Sequence, residues 1–176
     1  MVRNVALRQL HPGDFEGIVS VVDDWWGRPV RDKVPRLFFD HFWSTIFVAE
    51  CSGVPAGVII GFLSPSQPTA AYVHLIGVDP RHCGHGLGTL LYERFFTIAR
   101  EHNRVEVWAV TSPQNRGSIE FHGHLGFSIW PGDREENGVS VHSDYEPSGA
   151  SRVVFVKALK SSIPRDHRMS RVREGT

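Results

Sequence analysis

Cysteine is nearly absent from this chain. Cys51 and Cys83 are the only two in 176 residues, too few for a disulfide framework. No N-terminal apolar stretch has the length of a signal peptide or a membrane span, so a cytoplasmic protein without a membrane partner is expected. An excess of charge is also missing. Lysine plus arginine and aspartate plus glutamate both number 19, and a net charge of zero gives no reason to expect a nucleic-acid partner. No internal repeat is visible, and a 19.8 kDa chain can bury a core of its own, which argues for one domain. Histidine, by contrast, is abundant at ten residues. His82, Cys83 and His85 lie close together, but their spacing matches no zinc pattern and no metal is expected.

Apolar periodicity lays out alternating strands and helices. Residues 2–8 read as a strand, and Pro12-Gly13-Asp14 then precedes a helical run at Phe15, Ile18, Val19 and Val22, with Asp14 suited to the N-cap. A short helix is predicted over 32–42, followed by strands at 45–50 and 55–63 that form a hairpin around Cys51-Ser52-Gly53-Val54. Residues 70–78 form the next strand. The helix after it repeats apolar residues at Leu87, Leu90, Leu91, Phe95 and Ile98. Strand 105–110, helix 115–125, a short strand near 127–130 and a last strand at 152–158 complete the order. Residues 131–151 are polar and glycine-bearing and read as a long loop, a length that is uncommon unless the segment is disordered or functional. Residues 161–176 carry Arg165, Arg168, Arg171 and Arg173 without an apolar face and read as a flexible basic tail.

Two segments carry chemistry. In the first, Val78-Asp79-Pro80-Arg81-His82-Cys83-Gly84-His85-Gly86-Leu87-Gly88-Thr89, an apolar strand enters a glycine-rich turn that becomes a helix. Glycines at 84, 86 and 88 let the backbone approach a ligand, and the first N–H groups of the helix point at negative charge. Pyrophosphate is the natural guest. The turn lacks the Lys-Ser/Thr ending of a phosphate loop, which weighs against ATP, and it is not a clean Gly-x-Gly-x-x-Gly turn. It resembles the coenzyme A loop of the GNAT superfamily of N-acetyltransferases, Arg/Gln-x-x-Gly-x-Gly/Ala. In one register Cys83 takes the Arg/Gln position; in another, Arg81-x-x-Gly84-x-Gly86 fits. The second segment, after the apolar run 105–110, is similar to the other GNAT signature, Asn-x-x-Ala-x-x-Phe-Tyr-x-x-x-Gly-Phe. Asn115, Phe121, Gly126 and Phe127 match, Ser118 stands for the small residue and His122 for the tyrosine.

The resemblance, which covers residues 70–130, implies an α/β (α+β) fold. A single domain over 1–160 would hold a mixed, largely antiparallel sheet of about six to seven strands flanked by helices, splayed between the fourth and fifth strands. It implies acetyl transfer from acetyl-CoA to a primary amine of a small molecule or protein, by direct attack in a ternary complex. Ile76, Gly77 and Val78 would hold the pantetheine, and Arg81, Cys83, Gly84, His85, Gly86, Leu87, Gly88 and Thr89 the phosphates. Asn115, Ser118 and Phe121 would also contact the coenzyme, and Asn115 equally suits a helix N-cap. Family members often place a base at the position of His74, where an imidazole can accept a proton near neutral pH; a half-buried strand histidine is the plainer reading. Tyr72, on the same face by alternation, can position that base or a water. His122 stands where the family places a tyrosine as general acid.

For the acceptor, Trp25, Trp26 and Arg28 form a concentrated cluster, although tandem tryptophans near a helix end also suit the core or a homodimer interface. Because Cys83 and His122 depart from the pattern, a degenerate domain that binds acyl-CoA without turnover is the competing reading.

Overall fold

Residues 5–82 and 85–160 are described by a computed structural model of the chain. Cys83, Gly84 and the expected tail at 161–176 lie outside the described residues. The first strand, β1, is Val5–Gln9, and it leads into α1, Phe15–Trp26. Ile18, Val22 and Trp25 recur at helical spacing on the buried side of α1, which stops at Gly27 with φ of 61°. The expected helix over 32–42 is shorter. Pro35, extended at ψ 145°, separates a 3₁₀ turn at Arg31–Lys33 from α2, Arg36–His41.

Strands β2, Phe47–Cys51, and β3, Val54–Leu63, form the expected hairpin. Its turn residues Ser52 and Gly53 take φ of 55° and 80°, the left-handed pair that such a turn requires. β4, Ala70–Val78, pairs antiparallel with β3 and leads through α3, Leu87–Glu101, to β5, Glu106–Thr111, which runs parallel to β4. α4, Arg116–His124, is followed by β6, Ser128–Ile129, and the last strand of this sheet is Val153–Ala158.

The stretch read as a long loop contains a hairpin. β7, Arg134–Glu136, and β8, Val139–Val141, meet at Asn137-Gly138 with φ of 52° and 77°, and Val141 is buried in the core. Counting Val153–Ala158 as β9, the main sheet has the order β1-β2-β3-β4-β5-β9-β6 and is antiparallel except between β4 and β5.

One core lies between the sheet and α3 with α4, around Tyr92, Phe95, Phe96 and Phe155; the other lies under α1 and α2, around Val22, Phe39, Val58 and Ile60. Full burial of each such side chain contributes about 1.5–3 kcal/mol. Leu90, expected on the buried stripe of α3, is 41% exposed, while Tyr92 and Phe96 fill that stripe. Among the described residues no helix is long and apolar enough to cross a membrane.

Two irregularities in β4 create the site. Its pairing with β5 ends at Val73 opposite Ala109, although β4 continues to Val78 and β5 to Thr111, so the strands part beyond that point. Against β3, Val73 opposes Gly61 and Leu75 opposes Ile60, which leaves His74 as the extra residue of a β-bulge.

Candidate active site

The parted strands open a cleft of about 1010 Å³. Ile76, Gly77 and Val78 line it from β4, and Gly86, Leu87, Gly88 and Thr89 line it from the start of α3. Gly86 is the residue before the helix and takes φ of 79°, a backbone conformation that disfavours a Cβ. The first N–H groups of α3 have no carbonyl one turn back to bond, so this end of the cleft suits an anion. A Cβ on Gly88 would sit 2.9 Å from the Phe121 ring, which is how closely α4 approaches α3. Phe121, Ser118 and Asn115 line the cleft from that side, and the Asn115 side chain also caps α4 by accepting the Ser118 N–H at 3.1 Å. The two readings of Asn115 are thus compatible.

Arg81 and His85 are not among the lining residues. The Arg81 guanidinium instead grips Asp79 at 2.6–3.0 Å, and that hydrogen bonding holds the Asp79 carboxyl below the usual carboxylate range. The buried Asp79 carboxylate thus holds a guanidinium whose own side chain is exposed.

His74 sits at the mouth where β4 and β5 separate. Its ring stacks on Phe38 at 4.6 Å and its Nε2 lies 2.7 Å from the Lys33 carbonyl. A carbonyl can only accept, so Nε2 carries a proton, and in the neutral ring Nδ1 holds the lone pair. Tyr72 lines the same cleft, beside Tyr145; burial is the main reason its phenol is pushed well above the usual range.

His122 has a different environment. It is 3% exposed and stacked on Phe155 at 4.5 Å; its Nδ1 meets the Ser118 carbonyl at 2.7 Å and its Nε2 the Tyr92 hydroxyl at 2.7 Å. The carbonyl requires Nδ1–H, so the Tyr92 hydroxyl donates to Nε2 and neither nitrogen retains a proton for a ligand. Burial also lowers the proton affinity of His122. These contacts argue against the general-acid role expected from its position. Trp25 is a core residue at 8% exposure, whereas Trp26 lies across Gly77, with Cη2 only 1.6 Å from where a Cβ would be. Arg28, exposed just beyond α1, lines the cleft rim.

The acetyltransferase (GNAT) family model matches residues 15–127, more than half of the chain. The chain belongs to that family. It is 33% identical over 83 residues to the L-2,4-diaminobutyric acid acetyltransferase of Nocardia farcinica, a match covering 47% of this chain and 43% of that protein. An uncharacterized N-acetyltransferase of Methanocaldococcus jannaschii is 36% identical over 87 residues, covering 46% of this chain and 38% of the relative. The chain thus spans less than half the length of these two relatives. Among solved structures, Ard1 from Thermoplasma volcanium superposes with a TM-score of 0.71 at 20% identity, covering 89% of this chain and 99% of that one. The diaminobutyrate acetyltransferase from Paenibacillus lautus gives 0.68 at 19%, covering 92% and 99%. These likenesses establish the fold.

Several residues of this GNAT cleft escaped the sequence reading. Lys33, Tyr92, Tyr145 and Arg152 line it, and Glu146, from the stretch read as a long loop, faces it as the partner of Arg152 at 2.6 Å. Tyr92 had a signal, being the polar-tipped member of the buried stripe of α3. Arg152 had none, because its place beside Tyr72 depends on how β9 returns to the sheet.

Proposed function

We propose that this GNAT domain transfers the acetyl group of acetyl-CoA to a primary amine of a small molecule in a ternary complex, in the cytoplasm. The observation that carries the reading is the parting of β4 from β5, which joins the N-terminus of α3 at one end of the cleft to His74 at the other. The residues fit a pyrophosphate-bearing thioester. A left-handed glycine precedes the helix, and the lining glycines keep side chains away from the approach.

In this reading the amine nitrogen attacks the thioester carbon. The C–N bond forms, the C–S bond breaks, and the proton leaves nitrogen for His74 Nδ1, directly or through a water beside Tyr72. The Lys33 carbonyl fixes the tautomer that makes Nδ1 the acceptor, and the ring of Phe38 fixes its plane. Strand backbone beyond Val73, released from β5, supplies polar groups for the developing oxyanion. The thiolate takes its proton from solvent, since both nitrogens of His122 are engaged.

A panel of amines scored by release of free coenzyme A tests the proposal. L-2,4-diaminobutyrate belongs in it because of the relatives' names. The competing reading, a coenzyme binder without turnover, is favoured by the lack of a free acid at His122. It requires calorimetric binding of acetyl-CoA with no release for any amine.

A further inference from the structure

Histidine apart, the charged residues that line the cleft among the described residues are Arg28, Lys33, Glu146 and Arg152. Glu146, the one acid of this set, is engaged. Its Oε1 takes both Nε and Nη2 of Arg152, at 2.9 and 2.6 Å. Arg28 and Lys33 are exposed, and among the described residues neither side chain has an ion pair or a hydrogen bond. The segment that carries them has also engaged its best-placed carboxylate. Asp23 Oδ1 accepts the backbone N–H groups of Val30 and Arg31 at 2.7 and 3.0 Å, and Oδ2 holds the Arg31 guanidinium at 2.8 Å. The Arg28 N–H bonds the Asp23 carbonyl at 3.2 Å and Val30 is buried, so this turn is pinned to the end of α1. The neighbouring acids Asp24 and Asp32 do not line the cleft. Its α1 rim therefore presents two unmatched positive charges.

We propose that Arg28, assisted by Lys33, is an anion subsite for the acceptor, and that the amine this domain acetylates carries a carboxylate. The proposal rests on the acetyltransferase reading, which puts the amine at His74. Lys33 flanks that point, since its carbonyl lies 2.7 Å from His74 Nε2, whereas the coenzyme phosphates belong at the α3 end of the cleft. A guanidinium presents a planar fork that matches a carboxylate, and a turn already pinned by Asp23 needs little ordering to present it. A second ammonium on the acceptor would meet like charges here and no unengaged acid.

Pairs of primary amines that differ only in ending as a carboxylate or a carboxamide, over a graded set of spacer lengths, provide the test. In the best pair the carboxylate should show the higher kcat/KM by about fivefold, the ratio of one well-formed exposed ion pair. That advantage should shrink as salt is added. Arg28→Gln should bring the ratio near one, Arg28→Lys should keep part of it, Lys33→Gln should lower it, and Arg28→Glu should turn the preference toward a diamine of the same length. Binding is read separately, by calorimetry of the same pairs into the protein saturated with coenzyme A. There the carboxylate should bind more tightly and lose that advantage in Arg28→Gln. Equal rates and equal binding within every pair, or a wild-type preference for the carboxamide or the diamine, would overturn the subsite. So would a loss of acetyl-CoA affinity in Arg28→Gln, which would assign the cation to the coenzyme phosphates. If no amine releases coenzyme A, the acetyltransferase reading fails, and the calorimetric comparison still decides whether this rim selects a carboxylate.

Discussion

Gly77→Ala tests how α1 is seated on the strand that lines the cleft. A Cβ there would lie 1.6 Å from Cη2 of Trp26, 2.0 Å from Cζ3 and 2.6 Å from Cζ2. Carbon atoms rest about 3.5–4.0 Å apart, so the indole would have to withdraw by roughly 2 Å. Trp26 is the last residue of α1 and only partly buried, so its ring can leave toward solvent, but it then loses its packing on β4. Overpacking of this kind costs about 1–3 kcal/mol. The expected outcome in urea denaturation followed by circular dichroism is a loss of that size for Gly77→Ala. In Gly77→Ala/Trp26→Ala the added methyl meets no ring, so the double variant should be more stable than the sum of the single effects by at least about 1 kcal/mol. Acetyl-CoA titration should show weaker binding in Gly77→Ala, because the new methyl and the departed indole both change the cleft wall that Gly77 and Trp26 form. A Gly77→Ala protein of wild-type stability, strictly additive with Trp26→Ala, would refute the contact.

Three further outcomes are expected. His74→Ala should keep its acetyl-CoA affinity while turnover falls by roughly 10²-fold or more; a drop of only a few-fold in stopped coenzyme-release assays would reduce His74 to a strand residue. Gly86→Val should fold yet bind acetyl-CoA weakly by calorimetry, since a branched residue at φ of 79° is strained at the anion end of the cleft; unchanged affinity would place the phosphates elsewhere. The third concerns pH. Because burial lowers the proton affinity of His122, the unfolded chain binds that proton more readily. Its contribution to stability is therefore complete above the unfolded imidazole value of ~6.5, and it is lost as pH falls from there through the depressed folded value. His122→Gln cannot titrate, so the difference in denaturation midpoint between wild type and variant should change across that window. A pH-independent difference would contradict a buried neutral imidazole.

The features legible in the sequence are those set by local chemistry. The turn at Ser52-Gly53 and the glycine entry into α3 each depend on a left-handed backbone conformation that glycine supplies without strain. The same reasoning should have revealed β7 and β8, because Asn137-Gly138 is a strong hairpin signal, but the polar residues around it resemble a loop. Pro35 could likewise have divided the helix expected over 32–42. What stayed hidden is non-local. The Tyr92–His122 hydrogen bond joins residues 30 positions apart, and the Trp26–Gly77 contact joins α1 to β4. The bulge at His74 exists only relative to the register of β3, which no pattern within β4 reports.

That bulge separates making the fold from performing the chemistry. His74 is the one residue of β4 in this stretch that opposes nothing on β3. Val73 already belongs to the α3 core and Leu75 already packs on the α1 side, so excising His74 would make them neighbours in an ordinary alternating strand. Every partner on β3 would keep its partner. A deletion of one codon would therefore silence the proposed base and leave the α3 core intact, removing from the other core only the ring stacked on Phe38, and an insertion of one codon would restore it. For such a strand, a supernumerary residue is a point where lineages can gain or lose reactivity without first solving the folding problem again.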